Sequence, residues 1–102
     1  MISNDIRALI PLIQSYLSQQ PVEKAWLFGS CSRGEERADS DIDILVRYKE
    51  GERITLFTIC RISLGLEEKV NRPVDLIEEG RLLPFAEKTA ERDKILIYER
   101  AA

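Results

Sequence analysis

Apolar residues recur along this chain in two rhythms, and the rhythms alternate. They first fall at Ile6, Leu9, Ile10, Ile13 and Leu17, steps of three and four that gather on one helical face. Ser3 or Asn4 stands where an N-cap belongs, Pro11 predicts a kink or break, and Pro21 closes the segment. Ala25 to Phe28 is a short apolar, aromatic run that predicts a buried strand, with Gly29-Ser30 as the turn out of it. Cys31 to Arg37 predicts a short helix whose free N–H groups face back toward that turn. A second strand begins near Ile42, with Ile42, Ile44 and Val46 directed at the core. Arg47 to Arg53 reads as a polar loop.

Ile54 to Val70 predicts a second long helix with two apolar faces. Leu56, Phe57, Cys60 and Leu64 lie on one, and Ile59, Ile62 and Leu66 on the other. So wide an apolar surface is either buried on two sides or partly held for a partner. Asn71-Arg72-Pro73 is a turn, Val74 to Ile77 a third strand, Leu82 to Glu91 a helix with Pro84 in its first turn, and Ile95 to Tyr98 a last edge strand. There is no repeat, linker or low-complexity tract. The expectation is one α/β domain over residues 1–102, a small sheet with helices packed on it.

Composition narrows the chemistry. Hydrophobic residues make up 44% and charged residues 32% of 102 positions, ordinary values for a globular protein. With 18 acidic against 15 basic residues the net charge is −3, a poor balance for direct nucleic-acid binding, which leans on a basic face. No run is long enough to span a membrane, and Asp5 and Arg7 break the apolar stretch that a secretory signal needs, so a cytoplasmic address is expected. The two cysteines, Cys31 and Cys60, show no metal or redox spacing and are expected to be reduced. There is no histidine, which removes the commonest general base and the usual zinc ligand together.

What remains for chemistry is carboxylate. Asp41 and Asp43 are two apart at the start of a strand and share a face. Two carboxylates about 5 Å apart repel by roughly 3 kcal/mol at an effective dielectric of 20. Solvent screening relieves that repulsion, and so does a hard divalent cation such as Mg²⁺ or Mn²⁺. Asp75 is the lone acid in Val74-Asp75-Leu76-Ile77; it either faces solvent on an edge or joins the pair from a neighbouring strand. Three converging carboxylates suit two-metal phosphoryl or nucleotidyl transfer, which requires no histidine. Gly29 lets a phosphate approach the backbone, and the Ser30 hydroxyl with adjacent N–H groups can hold its oxygens.

Gly29-Ser30, ten residues, then Asp41-Ile42-Asp43 resembles the signature of the DNA polymerase beta-like nucleotidyltransferases. The fuller string GSCSRGEERADSDIDILV, with VDLI about thirty residues on, is similar to the minimal nucleotidyltransferase (MNT) subfamily. The resemblance covers essentially the whole chain and implies that family's fold, with a small mixed sheet of about four strands. It implies Asp41, Asp43 and Asp75 as ligands of two Mg²⁺ ions, Asp75 also acting as or assisting the base. Gly29 and Ser30 would hold ATP. Arg33 would either neutralise phosphate or bridge to Glu36 or Asp39. Ser40 joins the nucleotide-binding candidates or bonds a neighbouring carboxylate, and Cys31 reads as filler.

The chain leaves no residues for the acceptor-binding domain of larger members, so the expectation is that another chain brings the acceptor or that oligomerisation completes the catalytic face. MNT proteins of this type resemble antitoxins encoded with a HEPN-domain ribonuclease toxin, which they silence by transferring AMP from ATP to a tyrosine. The resemblance thus implies a toxin partner, a hetero-oligomer with it, and the wide face of the 54–70 helix as a docking surface. Two alternatives stay open: an antitoxin that blocks its partner by contact alone, and an enzyme that modifies a small molecule such as an antibiotic.

Overall fold

The computed structural model describes residues 2–35, 37, 40–81 and 84–101. Helix α1 (Asn4–Leu17) is capped by Ser3, whose Oγ accepts the Ile6 N–H at 3.2 Å. It runs unbroken through Pro11, contrary to the expected break. Pro11 lies on the exposed side, where one missing backbone bond is tolerated because Ile6, Ile13 and Leu17 anchor the opposite side.

Strands β1 (Val22–Phe28) and β2 (Ile42–Tyr48) are each longer than their apolar runs. The two pair antiparallel, with Val22 opposite Tyr48 and Lys24 opposite Arg47, so ladder hydrogen bonds carry polar positions into the sheet. Arg47 and Tyr48 are therefore strand residues rather than loop. Between the strands, α2 is a single turn (Ser30–Arg33) that stops well before Arg37 because Gly34 takes the left-handed conformation at φ 74°.

Helix α3 (Leu56–Val70) opens with a reciprocal Thr55–Thr58 capping box and ends at Asn71, whose φ is 56°. It supplies the crossover that a parallel strand pair demands, since β3 (Val74–Glu78) runs parallel to β2. Helix α4 (Pro84–Asp93) and edge strand β4 (Ile95–Glu99) complete the chain. The predicted helix start at Leu82 lies outside the described residues. Strand order is β3-β2-β1-β4, a mixed sheet of four strands.

The sheet has two unlike faces. On one, Ala25, Leu27, Ile42, Ile44, Val46, Val74 and Ile97 form the main core with Ile6, Ile13 and Leu17 of α1 and Ile62, Leu66 and Val70 of α3. The other carries a smaller cluster, Trp26 and Leu45 under Ala90 of α4, with Phe28 and Ile77 beside it. The two-faced apolar pattern of α3 resolves accordingly. Ile62 and Leu66 are buried, while Leu56, Phe57 and Leu64 are 76%, 79% and 66% exposed and Cys60 is exposed as well.

Candidate active site

Alternation along β2 decides where the acids go. Ile42 and Ile44 enter the main core, so Asp43 emerges on the opposite face, half-buried, and Asp41 stands exposed just ahead of the strand. In the sheet register Phe28 of β1 pairs with Asp43, and Asp43 pairs with Asp75 of β3. Laterally paired residues share a face on strands about 4.8 Å apart. Asp75 is thus both edge-exposed and beside Asp43, and the two alternatives open in the sequence are both realised.

Gly29 closes the site from the β1 side. Its φ of 69° favours glycine, and a Cβ at this position would collide with Asp43 Oδ2. The glycine is required both by its own backbone and by the carboxylate packed on it. Ser30 starts α2, and its carbonyl accepts the Glu35 N–H at 2.9 Å. Ser32, buried, donates its hydroxyl to the Gly29 carbonyl at 2.7 Å and its N–H to the same oxygen at 3.1 Å, fixing the Gly29 peptide.

The electrostatics follow from this crowding. Asp43 is pushed from the ordinary 3.8 to about 6, chiefly by burial, then by the Asp75 and Asp41 carboxylates, with Arg33 opposing. The site is short of positive charge. Arg33 gives its Nε to Glu35 at 2.6 Å and its Nη1 to Asp93 at 2.9 Å. The bridge expected from Arg33 to Glu36 or Asp39 lies outside the described residues.

Ser40 accepts the Arg37 N–H on its hydroxyl at 2.8 Å, a turn-forming contact with backbone rather than with a carboxylate. Cys31 has more to do than fill space: its buried thiol donates to the Asp41 carbonyl at 3.6 Å.

Two residues that sequence reasoning passed over shape this region. Arg72, read only as part of a turn, donates Nη2 to the carbonyls of Ser40 at 2.7 Å and Arg37 at 3.1 Å, holding the segment that delivers Asp41. An arginine directly before the proline that opens the second acidic strand was the available signal. Asp93 had none, because its partner Arg33 lies 60 residues away in the chain.

The donor chemistry fits a hard divalent cation. All three candidate ligands are carboxylates, and the charge of the central one is disfavoured until something positive arrives. Among the described residues no three acid or cysteine side chains are gathered closely enough to hold an ion.

A four-stranded mixed sheet with a Gly-Ser turn on one strand, Asp-x-Asp on the next and a third acid on a parallel neighbour is the architecture of the polymerase beta-like nucleotidyltransferases. The family model described as Polymerase beta, Nucleotidyltransferase matches residues 12–102, and the chain belongs to this family. Among its relatives, a provisionally named protein adenylyltransferase of Methanocaldococcus jannaschii is 34% identical over 90 residues, 88% of this chain and 85% of that protein. A solved structure, provisionally described as a minimal nucleotidyltransferase, is 34% identical with a TM-score of 0.74 over 93% of this chain and 95% of its own. A chain from the complex of a tri-AMPylated Shewanella oneidensis HEPN toxin with an MNT antitoxin shares the fold, with a TM-score of 0.60 at 17% identity over 94% of this chain and 71% of that one. No helix among the described residues is long and apolar enough to cross a membrane.

Proposed function

We propose that this protein is a metal-dependent antitoxin that transfers AMP from ATP to a tyrosine of a HEPN-domain ribonuclease toxin in the cytoplasm. The observation that carries the reading is the lateral pair Asp43 and Asp75 with Gly29 packed on the Asp43 carboxylate, Asp43 being held half-buried and short of positive charge. Similarity to a protein adenylyltransferase over most of the chain supports a protein as acceptor. The AMPylated HEPN toxin in a complex that shares this fold supports the partner.

In this reading Asp41, Asp43 and Asp75 hold two Mg²⁺ ions, which Mn²⁺ can replace. When bound, such ions neutralise triphosphate charge and acidify an attacking hydroxyl. Gly29 leaves room for the phosphates, and Ser30, Arg33 and Ser40 line their approach. The tyrosine oxygen bonds to the α-phosphorus as the bond to the bridging oxygen breaks, and pyrophosphate leaves. Asp75, exposed on the edge strand beside Asp43, takes the hydroxyl proton.

The test is incubation with α-labelled ATP, Mg²⁺ and the HEPN partner. Label on a toxin tyrosine is expected, and an unlabelled toxin beside an active control sinks the proposal. A second reading has one observation in its favour: the exposed Leu56, Phe57 and Leu64 could bind a partner without chemistry. If Asp41→Ala with Asp43→Ala still neutralises the toxin at stoichiometric levels, and wild type does no better at substoichiometric levels, contact alone is the function.

A further inference from the structure

Neighbouring carboxylates attract a guanidinium, and Arg33 ends the single turn that follows Gly29, the glycine packed on the Asp43 carboxylate, so that its charge is felt at Asp43. An arginine that fell onto Asp43 would form a charge-assisted pair and occupy the place a metal needs. In the structure it is held elsewhere. Asp93 takes Nη1 at 2.9 Å and Glu35 takes Nε at 2.6 Å.

These carboxylates differ in firmness. Glu35 is a 63% exposed side chain just past the end of α2. Asp93 is only 13% exposed and sits on a fixed element. Ala90, one turn earlier, is buried against Trp26 and Leu45. The next residue, Lys94, donates its N–H to the Ala90 carbonyl at 2.7 Å and places its ammonium 4.7 Å from the centre of the Trp26 ring. Asp93 also takes Arg92 Nε at 3.2 Å, a contact that does not depend on the site.

We propose that Asp93 is a positioning residue that keeps Arg33 off the site aspartates, so that they stay open to a divalent cation. This rests on the metal-dependent reading above.

The experiment is Mn²⁺ binding to the whole protein without nucleotide, followed by electron paramagnetic resonance, for wild type, Asp93→Asn, Arg33→Gln and the double variant. With the Asp93 bridge gone, Arg33 competes with the metal, and Asp93→Asn should bind Mn²⁺ about fivefold more weakly. Removing Arg33 removes the competitor, so the double variant should recover wild-type affinity or better. Charge alone would make Asp93→Asn weaken binding equally with or without Arg33, so the discriminating result is that Asp93→Asn has no effect in the Arg33→Gln background. Wild-type affinity in Asp93→Asn, or a double variant as weak as Asp93→Asn, overturns the inference while leaving the metal site standing. A wild-type protein that binds no Mn²⁺ at millimolar concentration overturns the metal site, and the inference with it.

Discussion

Asp43 and Ile44 are neighbours in β2 and serve opposite faces of one sheet. Ile44 is fully buried between the sheet and the α1–α3 layer, in a continuous apolar core. Asp43 is half-buried beside Gly29 and Asp75, and burial disfavours the charge it carries. Because a strand turns successive side chains to opposite faces, stability and chemistry can be set almost independently, one residue apart. The helix face stores the folding energy, and the acid face draws on it to hold groups that repel each other.

The comparison breaks most sharply at Asp43. Asp43→Asn should lower AMP transfer by about a thousandfold, roughly 4 kcal/mol of barrier, because a metal-ligating charge is lost at the reacting phosphate. The same change should raise unfolding stability at pH 7 by about 1 kcal/mol once solvent screening is allowed for. Single-turnover labelling and urea titration of the variant read the two effects, and a destabilised variant would contradict the strain assigned to this face.

On the other face, Ile44→Ala should cost about 3 kcal/mol of stability, the usual range for truncating a fully buried isoleucine. Turnover per folded molecule at saturating ATP should hold within about twofold, since a loss much under 1.4 kcal/mol in the barrier is less than tenfold in rate. A large fall in turnover would show that the faces are coupled after all.

Gly29→Ala lies between the two. The strained φ and the collision with Asp43 Oδ2 together should cost about 2 kcal/mol and misplace the carboxylate. Its melting temperature and Mn²⁺ affinity are expected to fall together.

The pH dependence is smaller and its sign is fixed. Asp43 binds its proton more tightly folded than unfolded, so its contribution is fully present below the ordinary 3.8 and is lost as pH rises through about 6. Between pH 5 and 7 wild type should lose up to about 1 kcal/mol relative to Asp43→Asn, after discounting for screening. Parallel stability curves for the two proteins would rule this out. The smallest effect is expected outside both faces: Phe57→Ser with Leu64→Ser should leave stability within about 0.5 kcal/mol by urea unfolding, because both side chains are already in water.

Much of the fold was legible from local pattern. The 3.6 period of Ile6, Ile13 and Leu17 drew α1, and the alternation through Asp41, Ile42, Asp43 and Ile44 put both acids on one side. Element ends were less legible, for physical reasons. Val22 to Lys24 and Arg47 to Tyr48 are polar enough to read as loop, yet each completes the other's ladder. Pro11 carries a local penalty that tertiary packing overrides.

The sequence by itself determined the chemical inventory: a glycine-serine turn, two acids one residue apart, a third acid in an apolar run, and no histidine. Only the tertiary structure decided that β3 lies parallel beside β2 in the register that sets Asp75 against Asp43. It also decided that Asp43 is half-buried on Gly29, and that Arg33 answers to Asp93 from the far end of α4. The inventory is written in local spacing, which a chain carries in any conformation. Register, burial and long-range ion pairs exist only once the α3 crossover and the packing of α4 bring distant segments together, and local sequence holds no measure of that distance.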